Sequence, residues 1–287
     1  MRLQERNMQK QIAEISGDLQ RILDEDTDES VMLFTDDKEI AHLLEQINRV
    51  LDERKKVKAE YRKTENAAKK MLANISHDIK TPLTVIIGYL EIMLLHHQYD
   101  EKMMTKISDK AHQLMDLVDQ FFTLVKLESG DTLLQMSVIS LNEFCRESML
   151  DFYDILTEQN FEVEIGIEEE QVYASVDKKA LGRILSNLIS NAIRYGRDGQ
   201  YIGLTLRGDA HFAYIDITDH GKGIARDEAV HVFDRLYTLE DSRNRQIQGN
   251  GLGLTIAKDL AEKMDGTLEL VSVPNEQTTF TLKLKRN

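Results

Sequence analysis

Apolar residues recur every three or four positions along the first half of the chain and alternate with polar ones along much of the second. Met8, Ile12, Ile15, Leu19 and Ile22 keep a seven-residue rhythm, and so do Ile40, Leu44, Ile47 and Leu51, the mark of helices that pair along a seam. Between these runs, residues 24–30 form an acidic break and residues 31–34 a short apolar run. Thr35, Asp36 and Asp37 then offer an N-cap for the second helix. No stop signal follows before the stripe Leu72, Ile75, Ile79, Leu83, Ile86 and Leu90, so the pattern predicts one long helix through the charged residues 55–70. After a break at 96–100, Ile107, Ala111, Leu114, Val118, Phe121 and Val125 make a second stripe. Two such helices form a hairpin whose apolar face needs a partner.

Residues 127–131 (Leu-Glu-Ser-Gly-Asp) carry a helix stop and predict a hinge. Beyond it, β-rich runs at 161–167, 201–207, 212–218, 267–273 and 279–285 alternate with helical patterns near 141–157, 178–195 and 254–264. This predicts a mixed α/β domain, a sheet with helices on one face, and an α+β multidomain chain as a whole.

Composition narrows the function classes. A net charge of −14 leaves no clustered Lys/Arg surface for a phosphate backbone, which excludes nucleic acid as the expected partner. The single cysteine, Cys145, can form neither an internal disulfide nor a multi-thiolate metal site; it fits a reducing cytoplasm and a small core residue. No uninterrupted apolar stretch of about 18 residues and no signal peptide stand out, so the expectation is a soluble chain without a membrane span.

Five short motifs carry the candidate chemistry. In the first, Ser76-His77-Asp78-Ile79-Lys80-Thr81-Pro82, His77 lies about 160° around the helix axis from both Ile75 and Ile79 and points away from the apolar seam. A neutral imidazole is a nucleophile at pH 7, and the Asp78 carboxylate can hold the proton of one ring nitrogen while the other keeps its lone pair. Pro82 removes a helical hydrogen bond and predicts a bend just after the site. Taken alone, the pair reads more readily as a surface histidine beside a proline kink.

Asn187 and Asn191, four apart on a predicted helix, share a face with Arg194 and Tyr195 one turn on. Their amide oxygens suit Mg²⁺, although such pairs also simply solvate helices. Asp219 follows a β-rich run, with Gly221 and Gly223 permitting a tight turn before Ile224, and puts a carboxylate at a strand end. Val232-Phe233-Asp234-Arg235-Leu236-Tyr237 comes next. Finally Gly249, Gly251 and Gly253, with Leu252 among them, precede a helix and let backbone amides approach phosphate oxygens. No Lys-Ser or Lys-Thr follows, so this is not a Walker A loop.

In this order the motifs resemble the H, N, G1, F and G2 boxes of the sensor histidine kinases of two-component systems. The resemblance implies a helical-hairpin dimer bundle of four helices per dimer, followed by an α/β sandwich ATP-binding domain of GHKL type. It divides the chain into residues 1–62, similar to a HAMP-type relay, 63–130 for dimerisation and phosphotransfer, and 131–287 for catalysis. It implies ATP-dependent phosphorylation of His77, with Asp78 as base or orienting group, and transfer to an aspartate of a cognate response regulator. Thr81 is similar to the residue that positions water for dephosphorylating that regulator.

By the same resemblance Asn187 and Asn191 hold Mg²⁺, Arg194 contacts phosphate, Tyr195 lies against the base or ribose, and Asp219 accepts the adenine amino group. Residues 227–248 would form a lid anchored by Phe233, Leu236 and Tyr237, whose Arg243 and Arg245 either balance γ-phosphate charge or are solvated. Asn250 and Gln248 depart from the usual Ser/Thr and Gly, while His220 and Lys222 fill variable positions. The implied setting is a homodimer forming the cytoplasmic part of a membrane receptor, whose span is absent from this chain. A GHKL ATPase of the chaperone or topoisomerase type would want a Glu at Asn187 to activate water, and an amide is no base. A degenerate scaffold is the third reading, and populated boxes speak against it.

Overall fold

The computed structural model describes residues 2–96, 99–129, 133–234, 237 and 251–287. The chain divides into two compact units, Met1–Ala73 and Asn74–Asn287.

In the first unit, α1 (Arg2–Asp24) and the start of α2 (Lys38–His96) bury one face each. Ile15, Ile22, Ile40, Leu44 and Leu51 form a core with Val31 of the connector, and Leu19, Leu33 and Ile47 pack against it. The connector is irregular, so its backbone groups need partners from elsewhere. Asn48 supplies them for Val31: its Oδ1 accepts from the Val31 N–H at 2.9 Å and its Nδ2 donates to the Val31 carbonyl at 3.0 Å. Asp37 is the residue that caps α2, accepting from the backbone N–H of Glu39 at 2.9 Å and Ile40 at 3.3 Å. The acidic break is tied down at Asp26, whose carboxylate meets Lys58 and Arg54, each at 2.6 Å.

The second unit begins with the hairpin. α2 runs through Pro82 to His96, and α3 (Glu101–Glu128) starts at Asp100, whose side chain accepts from the N–H groups of Lys102 and Met103. Within the chain, the apolar stripes of the hairpin are only partly covered. Leu83, Ile87, Leu90 and Leu94 remain exposed on α2, as do Met115, Phe122 and Val125 on α3, while Leu117, Leu124 and Leu127 are buried. One stretch bears on the expected lack of a membrane span. By length and composition α2 does contain a window apolar enough to cross a membrane, 18 residues with a mean hydropathy of 1.3, none of it buried within the chain.

The α/β part comprises β1 (Met136–Ser140), α4 (Leu141–Leu150), α5 (Tyr153–Glu158), β2 (Glu162–Ile167), β3 (Tyr173–Asp177), α6 (Lys178–Tyr195), β4 (Tyr201–Gly208) and β5 (Phe212–Asp219). It continues with α7 (Arg226–Ala229), α8 (Gly253–Lys263), β6 (Thr267–Val273) and β7 (Gln277–Lys285). Five strands form a sheet in the order β2-β4-β5-β7-β6, antiparallel except for β2 beside β4; β1 and β3 make a separate antiparallel pair. Alternation places Ile202, Leu204 and Leu206 of β4, Ile215 and Ile217 of β5, and Leu282 and Leu284 of β7 on one buried face. Against that face lie α6 and α8, packed on each other as well as on the sheet. At about 1.5–3 kcal/mol for each fully buried Leu or Ile, this layer dominates the domain's stability.

Two polar side chains fix the layer's margins. Asp177 caps α6: one oxygen accepts from the Ala180 N–H at 2.9 Å and the other from the Gln135 N–H at 2.7 Å. Burial alone would raise its carboxyl, yet these backbone donors hold it below the ordinary range. Asn142 is fully buried. Its Nδ2 donates to the carbonyls of Glu168 and Glu170 at 2.9 and 3.0 Å, and its Oδ1 accepts from the Val172 N–H at 2.8 Å. Replacing it, Asn142→Ala, strands three backbone groups and is expected to cost roughly 3 kcal/mol in urea denaturation; a loss below about 0.5 kcal/mol would show that the 168–172 turn does not depend on it.

Candidate nucleotide and phosphoacceptor site

Helix α6 positions most of the candidate site. Ala180, Leu181, Ile184, Leu185, Leu188, Ile189, Ala192 and Ile193 are buried. With 3.6 residues per turn, the remaining stripe presents Asn187, Ser190, Asn191, Arg194 and Tyr195 on another face. All five line one cavity of about 110 Å³ with Val232, Tyr237, Gly251, Gly253 and Leu254, and with Gln120 of α3. Asn187 also ties α6 to α8, its Nδ2 donating to the Gly253 carbonyl at 3.0 Å. That bond leaves the Asn187 amide oxygen as the end able to meet a cation. Among the described residues no group of three or more His, Cys, Asp or Glu could hold a metal. A divalent ion here would therefore rest on amide oxygens and on the phosphates of its ligand, a donor set that suits Mg²⁺.

Asp219, at the end of β5, is only 4% exposed. Its Oδ1 accepts from the Gly221 N–H at 2.9 Å, but burial outweighs that bond and pushes the carboxyl up to about 6. The turn after it lies hard against the last turn of α6, where a Cβ on Gly221 would come within 2.2 Å of the Tyr195 carbonyl oxygen. Ile224 continues the turn, its N–H donating to Ser272 Oγ at 2.9 Å. Asp219, Gly221, Gly223, Ile224 and the fully buried Leu252 thus do not line the cavity; the Asp219 turn adjoins it through Tyr195.

Phe233 anchors the segment that follows. Its carbonyl accepts from Thr255 Oγ1 at 3.0 Å, its ring meets Phe280 edge-on with centroids 6.2 Å apart, and the Lys258 ammonium lies 5.4 Å above it. Leu236, Arg243, Arg245 and Gly249 lie outside the described residues, as does most of the expected lid; the short helix α7 occupies its start.

His77, Asp78 and Thr81 sit together on α2, apart from the cavity lining. The His77 side chain is 72% exposed, with Nδ1 at 3.2 Å from Asp78 Oδ1. Thr81 turns its hydroxyl back to donate to the His77 carbonyl at 3.1 Å. Sequence reasoning missed several lining residues, Ser190 and Gln120 among them. Ser190 was within reach, being on the same helical face as Asn187, Asn191 and Arg194. Gln120 was not, because it reaches the cavity only through the packing of α3 on α8, elements far apart in sequence.

Comparison with known proteins accords with this geometry. Residues 67–130 match the His Kinase A (phospho-acceptor) domain, and residues 176–287 match the family described as histidine kinase-, DNA gyrase B-, and HSP90-like ATPase. The chain is 42% identical over 279 residues to the sensor histidine kinase YcbM of Bacillus subtilis, covering 96% of this chain and 90% of that one. To the sensor histidine kinase WalK of Bacillus subtilis it is 28% identical over 232 residues, covering 78% of this chain but only 38% of that one. The fold is similar to histidine kinase ThkA, in a structure with response regulator protein TrrA, with a TM-score of 0.63 and 19% identity over 82% of this chain and 66% of that one. With a phospho-acceptor match followed by an ATPase match in one chain, and a relative 42% identical over nearly its whole length, the chain belongs to the sensor histidine kinase family.

Proposed function

We propose that the chain transfers the γ-phosphoryl group of ATP to His77 and then to an aspartate of a response-regulator receiver domain. The observation that carries this reading is the convergence of Asn187, Asn191, Arg194 and Tyr195 with Gly251 and Gly253 on one cavity, in a chain whose His77 is exposed and oriented by Asp78. With its proton on Nδ1 and directed at Asp78, the imidazole keeps the Nε2 lone pair for attack on the γ-phosphorus. As the N–P bond forms, the bond to the bridging oxygen breaks and ADP leaves. Asp78 stabilises the charge that develops on the ring and accepts the Nδ1 proton. Mg²⁺ held by Asn191 and Asn187 would neutralise charge on the phosphates. Arg194 meets the phosphates, and Asp219 accepts the adenine amino group.

The partner reading is supported by ThkA having been captured with its regulator TrrA. Thr81, one turn from His77, is placed to orient water in the reverse duty, dephosphorylating the regulator. The exposed stripes of the hairpin, spaced three and four apart, call for a second copy, which gives a four-helix homodimer. ATP and regulators place the working site on the cytoplasmic side, as part of a membrane receptor.

Three experiments test this. Incubation with Mg²⁺ and γ-labelled ATP should give label that is acid-labile and alkali-stable, absent from His77→Gln and from Asn191→Asp; acid-stable label, or label persisting in His77→Gln, refutes the assignment. Thr81→Ala should keep that label and slow regulator dephosphorylation. In sedimentation, the double variant Leu90→Glu/Leu94→Glu should halve the mass of the particle, and an unchanged mass would place the dimer contact elsewhere.

Burial pushes the Asp219 carboxyl up to about 6. A base contact that needs the carboxylate raises affinity as this proton leaves. ATP affinity should therefore be level well above that pH and fall below it by up to about tenfold per unit. ATP itself titrates nearby, so the readout is the difference from Asp219→Asn, which should lack this step; identical pH profiles would remove Asp219 from base recognition.

A further inference from the structure

Asp219 is followed by a turn with glycine at Gly221 and Gly223, residues with no side chains to pack, so its rigidity must come from elsewhere. His220 is the first candidate. Its ring lies flat on that of Tyr201, with centroids 3.9 Å apart and planes 10° from parallel. Tyr201 opens β4, next to Ile202, which is the register partner of Asp219. The phenol is itself held in place: Tyr201 Oη donates to Glu164 Oε2 at 2.7 Å, and the ring lies along its own strand so closely that a Cβ on Gly203 would come within 2.9 Å of that oxygen. On the other side of His220, the loop between α6 and β4 presses on its backbone, where a Cβ on Gly199 would lie 2.0 Å from the His220 carbonyl oxygen. The same loop meets the turn again through Asp198 and Lys222, at 3.6 Å.

His220 is thus gripped at both its ring and its carbonyl, and it shares a peptide bond with Asp219. We propose that the stack of His220 on Tyr201 is a positioning device for base recognition: it fixes the turn so that Asp219 presents its carboxylate to the adenine amino group, and so contributes to the preference for adenine over guanine nucleotides. This rests on the reading of Asp219 as the base acceptor. Neither ring touches the base; both act through the backbone they hold.

Stacked aromatic pairs contribute enough to be read as roughly a fivefold to tenfold change in an equilibrium constant. Dissociation constants for ATP and GTP should be measured for the full chain and for His220→Ala, His220→Phe, Tyr201→Leu and Asp219→Asn. The expected result is ATP binding weakened about fivefold to tenfold in His220→Ala and Tyr201→Leu, with GTP binding little changed, so that the ATP:GTP ratio falls. His220→Phe keeps a ring for Tyr201 and should restore both values. ATP binding and base ratio unchanged in His220→Ala, while Asp219→Asn loses both, would overturn the proposal. So would an equal loss for ATP and GTP that His220→Phe fails to rescue, the mark of general loosening. If Asp219→Asn binds ATP as the parent does, it is the base-acceptor reading that fails.

Discussion

A carboxylate buried with one backbone hydrogen bond is expensive, and the catalytic domain is built so that it bears this cost at the end of β5. Asp219 can be buried only because α6 ends where β5 ends, with the Tyr195 carbonyl and Gly196 packed on the turn that follows. That meeting in turn depends on the apolar layer between the sheet and α6 and α8, since the buried stripe of α6 determines which of its residues are left to face the cavity. Asn187 then links the two helices at the start of α8, where the glycine-rich segment enters. The buried acid, the amide pair and the glycines that open α8 are parts of one packing solution.

The helical part follows a different rule. Its stripes are apolar but largely uncovered within one chain, and the apolar window of α2 that passes a membrane test by composition lies in the same helix as His77. Under the proposed function two demands meet on that helix, a dry seam for a second copy and a wet histidine for phosphoryl transfer. Helical periodicity separates them, because His77 sits on the opposite side of the axis from Ile75 and Ile79. The 72% exposure of its side chain is the physical expression of that separation.

Much of this was legible from residue patterns, for reasons that can be named. The bounds of α6 follow from the Asp177 cap and its strong apolar period, and the strands of the five-stranded sheet follow from alternation. Asn187, Asn191, Arg194 and Tyr195 share a face by spacing alone. What failed to show was whatever lacks a local signal. β1 and β3 are five residues each and form a two-stranded pair whose only further bridge is that of Ala174 to Arg286 among the described residues, and β1 buries none of its residues. The expected helix over 141–157 is interrupted at Asp151 and Phe152 with no Gly or Pro to announce it. Gln120 enters the cavity, and His220 stacks on Tyr201, through contacts between distant segments that no single-sequence period encodes.

Base recognition turns on the state of one carboxyl group, so the most direct measurement is the titration of Asp219 by carbon-detected NMR, with and without bound ADP. Without ADP the expected midpoint is near the buried value of about 6. With ADP the midpoint should shift clearly downward, because the adenine amino group stabilises the charged form. Titration in the ordinary aspartate range, or a midpoint indifferent to ADP, would contradict base recognition by Asp219.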